Sequence, residues 1–229
     1  RRPVASSPCR ATTSTSKPCA RCTSSVVVEG RNSARQLRRF GSPPIRATAT
    51  LGGNIANGSP IGDSMPCLMA LGTTLVLRRR GPKGKDETRR VALESFYSGQ
   101  KKSVLQPGEY IETIDVPRLQ GRVFKAHKIS KRFDQDISAT CAAMCWRDDA
   151  GTLRDVRLAY NGLTPFPARA PQLEALLEGK TAQAVSADAL DAAIKTSFTA
   201  RDGLRATWTY RALVARNLVL DFIGQEVTA

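Results

Sequence analysis

Thr50-Leu51-Gly52-Gly53-Asn54-Ile55-Ala56-Asn57-Gly58-Ser59-Pro60-Ile61-Gly62-Asp63 gathers four glycines, two asparagines, a serine and an aspartate around a few apolar residues. Gly-Gly lets a backbone turn tightly and come within contact distance of a ligand, because no Cβ stands in the way. Exposed N–H groups of such a loop can bind an anion such as a phosphate. The short amide and hydroxyl side chains supply directional hydrogen bonds. Asp63 stands where an N-cap belongs, ahead of Ser64-Met65-Pro66 and the apolar run Cys67–Leu71, and Pro66 fits the first turn of a helix. The segment therefore reads as a ligand-cradling loop running into a helix N-terminus.

Three other groups could carry chemistry. Lys128 to Asp136 is dense in charge, and Asp134 with Asp136 could form an acid/base pair; surface carboxylates balancing Lys131 and Arg132 are the plainer reading. Cys19-Ala20-Arg21-Cys22 is a lone CxxC, and His127 is the sole histidine. Zinc ribbons and iron–sulfur modules need further ligands at fixed spacing, so these cysteines read as incidental. Cys141 and Cys145 share one face of a strand and are expected to pack as small apolar groups.

The 229-residue chain carries 35 basic and 20 acidic residues, a net charge of +15. That balance invites a nucleic-acid reading. The charge is unevenly spread. Residues 1–46 hold ten bases against one acid, Glu29, which leaves 25 bases and 19 acids, +6, over the other 183. A nucleic-acid partner is therefore not expected. No apolar run approaches the ~20 residues of a membrane span, and no secretory leader is evident, so a cytoplasmic location without disulfides is expected.

Residues 1–33 are rich in Ser, Thr, Arg and Pro and read as a disordered basic tail. The first residue is Arg rather than Met, which suggests a fragment or a processed product. Residues 34–118 form a first unit. It holds a short helix at Ser33–Phe40, the glycine loop and its helix, strands at Thr73–Arg79 and Arg89–Ala92 around a hairpin loop, and a strand at Tyr110–Val116. Residues 121–226 form a second unit. Strands at Arg122–Ile129, Ser138–Trp146 and Thr152–Tyr160 precede helices at Arg169–Glu178, after Ser186, and at Thr207–Ile223. The fold class is α+β.

Several of these residues resemble a known family in their order. Leu37-Arg38-Arg39-Phe40-Gly41-Ser42, residues 50–63 and Met65-Pro66 resemble the second half of the flavin domain of xanthine dehydrogenases. The nearest likeness is the bacterial small subunit, where iron–sulfur and FAD modules share a chain. Phe96–Lys102, Leu105–Glu109, Lys128–Ser138, Ala159–Leu163, Asp202–Ala206 and Tyr210-Arg211 are similar to later segments of that family. The likeness runs from Leu37 to Phe222 and does not include residues 1–34. The family's first phosphate-binding loop and its cysteine-rich modules are not matched, so an N-terminally truncated form is expected.

The resemblance implies a partial FAD-binding subdomain of the vanillyl-alcohol-oxidase (PCMH) type, followed by a three-stranded antiparallel sheet packed with helices. It implies an oxidoreductase that works as part of a complex in purine catabolism. FAD takes electrons from a [2Fe–2S] cluster and passes them to NAD⁺, while a molybdenum cofactor sits in a large partner subunit. By motif, the FAD contacts would be Phe40, Thr50, Leu51, Gly52, Gly53, Asn54, Ile55, Asn57, Ser59 and Asp63. Ile111, Lys128 and Arg132 would lie near the flavin ring. The alternatives are a truncated, inactive fragment acting at most as a subunit-docking domain and, behind it, a basic nucleic-acid-binding protein.

Overall fold

A computed structural model describes residues 42–81, 84–133 and 135–225. Phe40, the helix expected at Ser33–Phe40, the tail 1–33 and Asp134 lie outside them.

The first unit opens with helix α1, Pro43–Thr48, which starts where the sequence pattern suggests a break. Ser42 caps it and two prolines occupy its first turn, where their missing N–H groups cost nothing. Helix α2, Leu51–Asn57, follows, and helix α3 runs Ser64–Ala70. Strands β1 (Thr74–Arg80), β2 (Asp86–Ala92) and β5 (Tyr110–Asp115) form an antiparallel sheet in the order β2-β1-β5. A 3₁₀ turn at Leu93–Ser95 leads into a two-stranded ribbon of β3 (Tyr97–Gly99) and β4 (Lys102–Ser103). β2 starts three residues before the expected Arg89, because Asp86 and Glu87 pair across the hairpin with Arg78 and Arg79. Opposite charges on facing strands extend a ladder that apolar pattern alone would end sooner.

The second unit is an antiparallel sheet of four strands rather than three, in the order β6 (Val123–Ile129), β7 (Thr140–Asp149), β8 (Thr152–Asn161), β9 (Ala168–Arg169). β9 is only two residues long, too short to leave an alternating pattern. Helices α4 (Pro171–Leu177), α5 (Ala187–Ser197) and α6 (Trp208–Phe222) cover one face. Ser186 and Thr207 cap α5 and α6 through their side chains, close to the expected starts.

Residues 140–146 of β7 are all buried, so the strand is covered on both sides. Ala142, Met144 and Trp146 meet the helical layer; Ala143 and Cys145 meet Cys67, Ala70 and Leu71 in and just after α3. All seven residues of α3 are buried. A helix buried all round must be enclosed by two partners, and α3 is the piece shared by both units. Trp146, Phe198 and Phe222 are core residues and Trp208 packs against them, as expected. No helix among the described residues is long and apolar enough to cross a membrane.

Candidate functional site

Over Leu51–Asn57 the glycine-rich segment is a helix rather than an open loop, and residues 58–63 run as turns into α3. Thr50 is the N-cap of α2, and its Oγ1 accepts the Gly53 N–H at 3.0 Å. A Cβ on Gly53 would stand 2.8 Å from that same oxygen. Gly58 ends the helix in the left-handed region at φ 56°, and a Cβ there would meet the Tyr97 ring at 2.9 Å. These glycines make room for the chain's own atoms. The expectation of a loop fails because it rests on two glycines and two asparagines, which are poor helix formers; capping by Thr50 and burial of Ile55 outweigh that.

The segment has two sides. Thr50, Gly53 and Asn57 are exposed, and Leu51, Asn54 and Ser59 are half-buried. Gly52 and Ile55 face the core, where Tyr97 Oη donates to the Ile55 carbonyl at 2.8 Å. Asn54 Oδ1 accepts from Ser64 Oγ, tying α2 to the start of α3. Ile111 on β5 is buried in the same core as Ile55. So the outward edge is available to a ligand and the inward residues hold that edge in place.

Asp63 occupies the N-cap position of α3, yet its side chain makes no capping hydrogen bond. The carboxylate turns instead to the second unit. Its Oδ2 lies 2.8 Å from Lys128 Nζ, and its Oδ1 accepts from Ser138 Oγ at 2.5 Å and Asn161 Nδ2 at 2.9 Å. All four residues are buried. Lys128, on β6, lies on the face of the sheet that turns toward α3, in line with buried Phe124 and Ala126. Burial of a charge is costly unless it is paired and hydrogen-bonded, and three donors around one carboxylate meet that condition. The Asp63 carbonyl also accepts from the Cys67 thiol at 3.6 Å, and Gly162 N–H reaches the Pro60 carbonyl at 3.2 Å.

Arg132 is placed differently. Its side chain is 75% exposed and pairs with Asp136 at 3.6 Å. Asp136 accepts the backbone N–H groups of Arg132 and Ile137, which hold its carboxyl below the usual range. This bears out the balancing-charge reading for Asp136. Thus the structure joins Asp63 to Lys128 and Asn54 to Ser64, while Ile111 serves the core and Arg132 the surface. Ser138 and Asn161 lie within two of the family-like segments, Lys128–Ser138 and Ala159–Leu163, but are not among the expected cofactor contacts. A signal exists nonetheless: alternation along 124–128 puts Lys128 on the apolar face, and a buried lysine needs a carboxylate.

Two family models match in succession. The FAD binding domain in molybdopterin dehydrogenase matches residues 10–119, and the CO dehydrogenase flavoprotein C-terminal domain matches residues 125–225. The chain thus carries, in succession, matches to these two flavoprotein domains of molybdenum-containing dehydrogenases. The first match begins at residue 10, inside the segment that the sequence resemblance left out. Among curated relatives, nicotinate hydroxylase of Emericella nidulans is 35% identical over 153 residues, 64% of this chain and 11% of that protein. Xanthine dehydrogenase/oxidase of Gallus gallus is 38% identical over 134 residues, 57% of this chain and 10% of that protein. The chain thus spans about a tenth of the length of these relatives. Among solved structures, carbon monoxide dehydrogenase of Hydrogenophaga pseudoflava superposes with a TM-score of 0.73 at 26% identity, covering 86% of this chain and 67% of that one. These relatives are oxidoreductases, and the superposition on the carbon monoxide dehydrogenase shows that the α+β architecture is shared with that structure.

Proposed function

We propose that this chain is the FAD-binding, electron-relaying part of a molybdenum hydroxylase of the xanthine dehydrogenase type. The observation that carries the reading is the match of residues 10–119 to the FAD binding domain of molybdopterin dehydrogenases. The geometry fits a bound dinucleotide on the outward edge of α2. Thr50, Leu51, Gly53, Asn54, Asn57 and Ser59 would hold it, and Gly52 and Ile55 would seat the helix from behind. Bound FAD supplies exchange of one or two electrons between donor and acceptor. Lys128 would set a positive charge that favours a reduced, anionic cofactor, with Asp63 keeping that ammonium in place. Electrons would enter from a [2Fe–2S] module and leave to NAD⁺, and a molybdenum-bearing large subunit would oxidise the substrate. One relative is named for nicotinate and another for xanthine, and the choice of substrate would lie with that partner subunit.

The test is direct. Purified chain is mixed with FAD, freed of unbound cofactor, and read at ~450 nm, where a bound flavin absorbs. Retained yellow colour, and weaker retention in Asn57→Ala, are expected. A chain that stays colourless at saturating FAD refutes binding by this chain and favours the subunit-docking alternative.

A further inference from the structure

Asn161 is fully buried at the end of β8, and each end of its amide has an assigned partner. Oδ1 accepts the Cys141 backbone N–H at 2.7 Å, so Nδ2 must face the other way, toward Asp63 Oδ1 at 2.9 Å. The backbone bond thereby decides which way the amide points. Ser138 Oγ, 1% exposed, donates to the same Oδ1 at 2.5 Å. With two donors on Oδ1, the carboxylate cannot rotate without breaking both, and Oδ2 is left facing Lys128 Nζ at 2.8 Å. The three parts come from different places in the chain: Asp63 before α3, Lys128 from β6, and Ser138 and Asn161 from either end of the β7–β8 hairpin.

Gly162 completes the frame. It has φ 81°, and a Cβ there would fall 2.3 Å from the Ala139 carbonyl oxygen. Its N–H binds the Pro60 carbonyl at 3.2 Å, so the residues flanking Ser138 and Asn161 are pressed against the chain that leads into Asp63.

We infer that Ser138 and Asn161 are positioning residues for Lys128, acting through Asp63. Neither needs to touch a ligand. They fix one oxygen of a carboxylate so that the other holds an ammonium at a single place. The consequence for a flavin rests on the proposed function above; the positioning itself does not.

Reductive methylation of the full chain with formaldehyde and dimethylamine–borane, read lysine by lysine by mass spectrometry, tests it. The ratio of Lys128 to exposed Lys131 labelling is expected to rise about tenfold in Ser138→Ala and in Asn161→Ala, the weight of one charge-assisted hydrogen bond. Asp63→Asn raises it as well, and Ser138→Ala added to Asp63→Asn raises it no further. A ratio unchanged in both single variants overturns the inference. So does an additive effect in the Asp63→Asn background, or a rise matched by faster alkylation of Cys67 and Cys145, since either would mean general loosening. With FAD present, Ser138→Ala should lower the flavin midpoint potential. A wild-type chain that takes up no FAD defeats the flavin reading and leaves the labelling result to decide this one.

Discussion

Cys67 holds its thiol inside the packed joint between α3 and the second sheet, against the Asp63 carbonyl. Burial first, and the Asp63 charge second, push its pKa up to about 12. Burial raises that of Cys145 as well. Because the thiolate is the reactive form, both should resist iodoacetamide at pH 8 in folded protein and react once it is unfolded, as peptide mapping would show. Rapid labelling of native Cys67 would contradict this packing. Glu109 behaves oppositely. Its carboxylate takes two bonds of 2.7 Å from Arg89 and one of 2.7 Å from the Gln106 N–H. The Arg89 bond first holds its pKa down at about 2, against 4.5 ordinarily. A depressed carboxyl stabilises the fold above its unfolded pKa and loses that contribution as pH falls toward the folded one. Between pH 4.5 and 2 the wild type should therefore lose about 1–2 kcal/mol, discounted for the half-exposed arginine, that Glu109→Gln does not lose. Urea titrations at the two pH values would measure the difference.

At the scale of elements, α2 depends on its first and last residues more than on its composition. Thr50→Ala removes the cap that Gly53 N–H uses and should cost about 1 kcal/mol, with a larger loss in FAD retention because the outward edge frays. Thr50→Ser keeps the acceptor and should behave as wild type. Gly162→Ala is the severer change. Its φ of 81° and the 2.3 Å approach to the Ala139 carbonyl leave no space that a side-chain motion could open. A cost of roughly 3 kcal/mol is expected, read as a shifted denaturation midpoint; a variant as stable as wild type would show that the β8 end can move. The longer strands and the capped helices of the second unit are legible in the sequence, since period-two and period-3.6 patterns are local. The short pieces are not. β9 and β4 are two residues long, which cannot show a period, and β2 reaches Asp86 through charge pairs across its own hairpin that an apolar pattern does not register.

At the scale of the molecule, the two units share α3 and are stapled beyond it. Arg157 on β8 donates to the Met69 carbonyl at 2.9 and 3.2 Å and pairs with Glu94. Arg169 bridges Glu94 at 3.0 Å and Glu174 at 2.6 Å. Pairs of this kind, packed around a common helix, couple unfolding. Hydrogen exchange in β1 and in β7 should therefore respond to denaturant with the same midpoint. Exchange of the first sheet well before the second would argue for two independent bodies.

Local patterns and ordered motifs in the sequence sufficed for the α+β class, the cap at Ser186, the buried strand cysteines, and a resemblance that the family matches bear out. The use to which those residues are put came from long-range packing. Leu51–Asn57 became a helix because Ile55 and Gly52 are buried against the first unit and Thr50 caps its start. Asp63 left its cap for a lysine far along the chain, and Ser138 and Asn161 joined it, because burying that charge required donors. No spacing along a chain encodes which distant groups will share a buried carboxylate; the fold chooses them by bringing α3 against the face of the second sheet.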